Sequence, residues 1–335
     1  MSSSTTFSHS ILVLELVNLH DTHRFTSAIS KATESTTDRL LIIIFCEAFN
    51  KDVNLSHTQS WPDVQAILTT VYVESTRIAQ KANRILMDVD VLLRGLDSVV
   101  SLEKQDSWQH VFRTSKDETG YPLPDWVWKL TSTFLNVQEF PTTKANIGRN
   151  FTDGTGTANL TPSTFPVVAL GGTFDHLHSG HKILLSMAAW IAHEKLIVGV
   201  TGDSLLQKKV HKDLLESLDT RITRTRNFLE FFKPGINYHV VPINDVYGPT
   251  AVDHYIQALV VSKETLGGAS SIAKFREERE MPPLQCFVID VISMTSSNLD
   301  AEDMEIIARK VHKNEGRREG CEIHITCNFF VILKF

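Results

Sequence analysis

Cysteine is scarce in this chain. Four in 335 residues, at positions 46, 286, 321 and 327 and with no Cys-x-x-Cys, exclude a disulfide framework and point to a reducing compartment. Excess positive charge is also lacking. The formal net charge is -6, so the electrostatics give no footprint for nucleic acid, and no basic run is long enough to form a membrane patch. Long apolar runs are missing too. The opening MSSSTTFSHSILVLELVNL has no basic stretch, and Glu15 interrupts its apolar run, which argues against a secretory signal. No segment approaches the length needed to span a bilayer. A cytoplasmic protein with no membrane and no nucleic-acid partner is therefore expected. The Asn-x-Ser/Thr sequons at Asn54, Asn150 and Asn159 are then expected to be chance.

What is present is enough apolar material, 42% of the residues, for two modest domains. Residues 141–166 (PTTKANIGRNFTDGTGTANLTPSTFP) are rich in Thr, Asn, Gly and Pro and have no apolar period, which marks a linker. The expected division is 1–140 for a smaller N-terminal α/β domain of unassigned role, 141–165 for the linker, 166–311 for the main domain and 312–335 for a tail. In the first domain, 11–17 and 40–46 read as buried strands, 62–81 as a helix and 84–94 as another strand. Asp88 and Asp90 share one face of that last strand. Such a pair can bind a metal, but a solvated strand end is the simpler expectation.

The second domain has a regular rhythm. Residues 167–171, 196–201, 238–243, 258–262 and 286–292 are near-continuous apolar runs, as strands covered on both faces should be. Helical spacing fills 180–194 and 219–232, the latter opening on Asp219-Thr220 as capping chemistry. Alternating strands and helices predict an α/β fold with a doubly wound, mostly parallel, five-stranded Rossmann-like sheet, whose ligands bind at the carboxyl ends of the strands.

The first crossover of that sheet, residues 167–182, reads VVALGGTFDHLHSGHK. An apolar strand ends in Gly171 and Gly172, which let a ligand approach the backbone; Gly180 does the same at the helix entry. Unpaired N–H groups and the helix dipole favour a phosphate there. His178 and His181 lie three apart on the first turn and can face one ligand. Zinc binding, acid–base chemistry and stabilisation of phosphate charge are each open to such histidines. His176 is expected to be structural, with Asp175 orienting the turn.

GGTFDHLHSGHK resembles the (H/T)xGH signature of the nucleotidyltransferase superfamily, in the form carried by phosphopantetheine adenylyltransferases of the eukaryotic branch. VGVTGDSLLQKK (198–209), VPINDVYGPT (241–250), VSKETLGGASSIAKFREER (261–279) and CFVIDVI (286–292) are similar to that family's later segments, in order. The resemblance implies transfer of the adenylyl group of ATP to 4′-phosphopantetheine, giving dephospho-coenzyme A and pyrophosphate. Magnesium would accompany ATP, with no metal ligand from the protein. It implies that His178 and His181 contact ATP phosphates, and that Lys208 or Lys209 bridges the two phosphates. Thr173 would donate to the incoming phosphate, with the Phe174 N–H at the nucleotide. Lys263, Glu264 and Thr265 would lie near the adenosine, as would Arg276; Asp245 and Tyr247 would lie on the pantetheine side. Association with other enzymes of coenzyme A biosynthesis would follow.

The family's late motif ISSTxxR, which holds the β- and γ-phosphates, is expected directly after DAEDMEIIARKV (300–311). The sequence continues HKNEGRREGCEIHITCNFFVILKF instead. The residues after Val311 are expected to come from an altered reading such as a retained intron, with weaker triphosphate binding as the consequence. Two other functions fit the same residues: a cytidylyltransferase acting on a small phosphorylated alcohol, and a catalytically impaired scaffold.

Overall fold

The computed structural model describes residues 5–102, 107–115, 121–137, 161–207 and 214–289. The N-terminal part is built around β1 (Phe7–Leu16) and β2 (Thr36–Cys46), whose apolar runs are buried. They pair in parallel, so the chain must cross over between them, and it does so through α1 (Thr26–Glu34). Helix α2 (Trp61–Lys81), with Pro62 in its first turn, carries the chain to β3 (Asp88–Arg94). Two short strands follow, β4 (His110–Arg113) and β5 (Thr131–Phe134), with the one-turn helix α3 (Asp125–Trp128) between them. The sheet order is β3-β2-β1-β4-β5.

The C-terminal part runs β6 (Phe165–Gly172), α4 (Ser179–Ile191), β7 (Ala192–Thr201), α5 (Leu218–Phe232), β8 (Asn237–Ile243), β9 (Ala258–Ser262), α6 (Leu266–Glu277) and β10 (Gln285–Ile289). Its order, β10-β9-β6-β7-β8, is again parallel throughout. In each sheet the first strand is central, with the second and third on one side and the fourth and fifth on the other. The N-terminal α/β unit therefore has as many strands as its partner, with the same winding. Two boundaries also move. Helix α4 stops at Ile191 and β7 begins at once, and α5 is capped by Ser217, whose hydroxyl accepts from the Thr220 N–H, not by Asp219-Thr220.

The repeat extends to a detail that sequence reading missed. Leu19-His20-Asp21-Thr22-His23-Arg24 follows β1 as Leu177-His178-Ser179-Gly180-His181-Lys182 follows β6. The N-terminal turn has no glycines, however. Near the carboxyl end of β1 the Tyr121 hydroxyl donates to Glu15 Oε2 at 2.6 Å, and its ring stacks on Phe45. His20, the counterpart of His178, is an exposed partner of Asp63.

The two units share one apolar core. At their junction the Trp190 indole donates to the His57 carbonyl at 3.0 Å, His57 Nδ1 donates to the Trp190 carbonyl at 2.6 Å, and the rings stack at 4.1 Å. Arg94 donates to the carbonyls of Phe231 and Phe232 at the end of α5. Burial holds the His57 pKa below its ordinary 6.5; its bond to Trp190 opposes the shift, and the Lys233 ammonium adds to it. As pH falls through 6.5 towards the lowered folded value, the unfolded chain takes up a proton that the folded chain refuses, so stability falls over that window. Thermal melts between pH 7 and 5 should therefore show a midpoint that drops on acidification, and a shallower drop for His57→Gln. Equal slopes for the two proteins would remove His57 from the junction's energetics.

Candidate active site

The second sheet presents its loops at the carboxyl ends of β6 and β9, its two neighbouring strands of opposite winding. Such a switch point opens a crevice by construction. The β6–α4 turn enters it under strain. Phe174 and His176 have φ of 50° and 41°, a region that non-glycine residues enter at a cost of about 1–3 kcal/mol each. Surrounding contacts impose this conformation. The Phe174 ring is fully buried. The His176 N–H donates to Glu216 Oε2 and its Nε2 to the Leu214 carbonyl, both at 2.9 Å. Asp175 Oδ1 accepts from the Glu216 N–H at 2.9 Å, and Arg224 pairs with Glu216. His176 and Asp175 thus fasten the turn to the segment before α5. Asp175, His176 and Glu216 also form a cluster of possible metal ligands among the described residues. Both carboxylates already carry hydrogen-bond donors, and Arg224 sits on Glu216, so the cluster is poorly suited to a cation.

His178 is the N-cap of α4. Its Nδ1 accepts from the N–H groups of Gly180 (3.2 Å) and His181 (3.4 Å), which fixes the ring proton on Nε2. The His181 ring stacks on it at 3.8 Å and lies 5.3 Å from the Phe174 ring. Thr173 is 7% exposed, and its hydroxyl is buried with no hydrogen-bond partner among the described residues. An orphaned buried hydroxyl is costly unless a ligand or water completes it. A methyl group on Gly172 would sit 3.0 Å from the Phe174 ring, whereas one on Gly171 would meet only ordinary contacts. Packing within the protein thus explains glycine at 172 but does not by itself require it at 171.

A buried arginine that the sequence did not announce holds these parts together. Arg221, on α5, is fully buried. Its Nη1 donates to the carbonyls of Thr173 (3.0 Å) and Thr201 (2.7 Å), Nε to that of Glu216 (3.1 Å), and Nη2 to Asp203 Oδ1 (3.1 Å). It joins the ends of β6 and β7 to the segment before α5.

The remaining expected residues fall in different places. Lys263, Glu264 and Thr265 form the turn directly after β9, closed by a reciprocal bond pattern between Ser262 and Thr265. Burial raises the Glu264 pKa. Asp245 lies beyond β8 and accepts from the N–H groups of Tyr247 and Gly248, so it shapes its own turn. The Tyr247 ring stacks on Phe275 at 4.5 Å. Arg276 is 1% exposed; its Nε and Nη1 donate to the carbonyls of Pro282, Thr250 and Asp253, and its Nη2 is buried with no hydrogen-bond partner among the described residues. Lys208 and Lys209 lie outside the described residues, as does the chain from residue 290 onward, including the place where the late serine motif was expected.

The Asp88–Asp90 pair is corrected as well. Asp90 is buried and Asp88 half-exposed, and both carboxylates accept from the Lys182 ammonium, on the first turn of α4. Burial would raise the Asp90 pKa, but Lys182 and Arg39 outweigh it and hold the carboxyl below its ordinary value. The pair is neither a solvated strand end nor a metal site.

Comparisons with known proteins fall on the same region. A cytidylyltransferase-like family model matches residues 169–315. A phosphopantetheine adenylyltransferase of Saccharomyces cerevisiae is 48% identical over 128 residues, which are 38% of this chain and 42% of the relative. One from Methanopyrus kandleri is 37% identical over 134 residues, 40% of this chain and 84% of the relative. One from Pyrococcus furiosus is 37% identical over 125 residues, covering 77% of the relative. The match spans about two fifths of the length of the yeast relative but 84% of the Methanopyrus one. With the glycine–histidine turn at the switch point of a parallel sheet and this coverage, the chain belongs to the phosphopantetheine adenylyltransferase family.

Proposed function

We propose that the chain transfers the adenylyl group of ATP to 4′-phosphopantetheine, producing dephospho-coenzyme A and pyrophosphate. The observation that carries this reading is the buried, unpartnered Thr173 hydroxyl, next to two stacked histidines at the N-terminus of a capped helix. The three features lie on the one turn from β6 into α4 and supply donors suited to phosphate oxygens.

In this reading a phosphate oxygen of 4′-phosphopantetheine attacks the α-phosphorus of ATP. A P–O bond forms to the adenylyl group, the bond to the bridging oxygen breaks, and pyrophosphate departs with that electron pair. No protein nucleophile is required, so the chain's part is alignment and charge stabilisation. Thr173 Oγ1 donates to the entering phosphate. His178, with its proton fixed on Nε2, donates to the triphosphate beside His181. Lys208 or Lys209 neutralises both anions, and the turn at 263–265 borders the adenosine. Magnesium arrives with the triphosphate as part of the substrate.

A second reading, a cytidylyltransferase, is favoured by the description of the matching family model. Pyrophosphate release measured with ATP and with CTP, each with 4′-phosphopantetheine and with phosphocholine, separates the two. The proposal expects release only with ATP and 4′-phosphopantetheine. Release with CTP and phosphocholine would replace it. Nucleotide binding without release from any pair would make the chain a scaffold.

A further inference from the structure

Lys182 follows the second signature histidine directly, yet its ammonium reaches out of its own unit. The side chain is 5% exposed. Its Nζ donates to Asp88 Oδ1 at 2.5 Å, Asp90 Oδ1 at 2.7 Å and the Val89 carbonyl at 2.8 Å, all at the start of β3. Three donors meet three acceptors, so the ammonium is fully satisfied. Asp90 gives its other oxygen to Arg39 at 3.1 Å. Burial alone would strip the proton from Lys182, but Asp88 and Asp90 outweigh it and keep the ammonium charged. One turn of α2 adds a second hold: Thr76 Oγ1 and Ser179 Oγ are 2.9 Å apart. At the far end of α4, Trp190 locks onto His57. The signature helix is thus gripped at both ends by the N-terminal unit.

We propose that the N-terminal unit is a built-in brace for the anion site, and that Lys182 is its positioning residue, tying the His178–His181 turn to β3 through Asp88 and Asp90. The geometry favours this over a merely stabilising bond. The tether is anchored on the residue next to His181, inside the turn whose N–H groups His178 caps, so a slip of the tether moves both imidazoles together. The match to the Methanopyrus relative covers 84% of that protein, which leaves little room there for a second five-stranded unit. The brace is accordingly a device of this chain and not a requirement of the chemistry.

The kinetic part of the test rests on the proposed adenylyl transfer; amide exchange does not. In the full chain, Lys182→Met is expected to lower kcat/KM for ATP on the order of 10- to 100-fold, as displacement of a positioned group does, with KM for 4′-phosphopantetheine nearly unchanged. The amides of His181 and Lys182 should exchange faster while those of β6 and β7 do not. Asp88→Asn, which alters a half-exposed carboxylate and should fold normally, is expected to give a smaller loss in the same direction. Lys182→Met with Asp90→Asn removes both buried charges and should recover the melting temperature, since a neutral pair often replaces a buried ion pair without loss. The ATP defect should persist in it. Val111→Ala in β4, chosen to match the drop in melting temperature, should keep wild-type kinetics.

The proposal fails if Lys182→Met leaves both kinetics and amide exchange at wild-type values. It fails equally if the double variant recovers ATP kinetics together with melting temperature, or if Val111→Ala reproduces the ATP defect. Should the wild-type chain turn over neither substrate pair, the adenylyl-transfer reading falls, and faster exchange confined to residues 178–182 still decides the brace.

Discussion

His181→Ala is expected to lower kcat for pyrophosphate release by about 10²–10³-fold, the loss typical of removing one donor from a site where charge develops. The fold should survive. His181 sits on the first turn of α4, and the helix cap comes from His178, whose Nδ1 accepts the Gly180 and His181 amides whatever side chain stands at 181. The substitution removes an imidazole stacked 3.8 Å from His178 and leaves the Phe174 ring in place beneath it. Circular dichroism and melting temperature should stay close to wild type while turnover collapses. His178→Ala should do both kinds of damage, because one ring nitrogen caps the helix and the other is the donor proposed for the triphosphate. A loss of an N-cap costs about 0.5–2 kcal/mol. A His181→Ala enzyme with wild-type turnover would take the imidazole out of the mechanism.

Arg221→Met is expected to be the most destabilising single substitution in the C-terminal unit. Its guanidinium satisfies the carbonyls of Thr173, Thr201 and Glu216 and binds Asp203, with no exposure of its own. Burial pulls its pKa down, and Asp203, Asp175 and Glu216 counter that pull. Methionine fills most of the volume but strands three backbone acceptors, at about 1–3 kcal/mol for each that stays unsatisfied, while the exposed Asp203 adds little. Chemical denaturation should show that loss, and ATP binding should weaken with it because the Thr173 carbonyl sits on the strained turn. A loss under about 1 kcal/mol would mean that water replaces the guanidinium, and that the turn does not depend on it.

These two residues mark the limit of what the sequence discloses. His181 is legible because strand, glycines, histidines and helix are contiguous, and their order alone implies a phosphate-binding turn. Arg221 lies among other arginines and threonines on α5, in a pattern that reads as a solvated helix; only the fold shows that it points inward. Arg276, 1% exposed on α6, is hidden from the sequence in the same way. Asp88 and Asp90 are unreadable for a related reason, since their partner Lys182 is more than ninety positions away. Long buried runs such as β1, β2 and β7 are plain in the sequence, but β4 and β5, four residues each, are too short to show a period. The equivalence of the two sheets therefore surfaced only in the strand order.

The central claim is that the β6–α4 turn grips a nucleoside triphosphate. Its most direct measurement is a crystal structure of the full chain with the non-hydrolysable analogue α,β-methylene-ATP. The expected result is phosphate oxygens about 3 Å from Thr173 Oγ1 and His178 Nε2, with the adenine beside the 263–265 turn. An analogue bound elsewhere, with Thr173 and both imidazoles untouched, would contradict it.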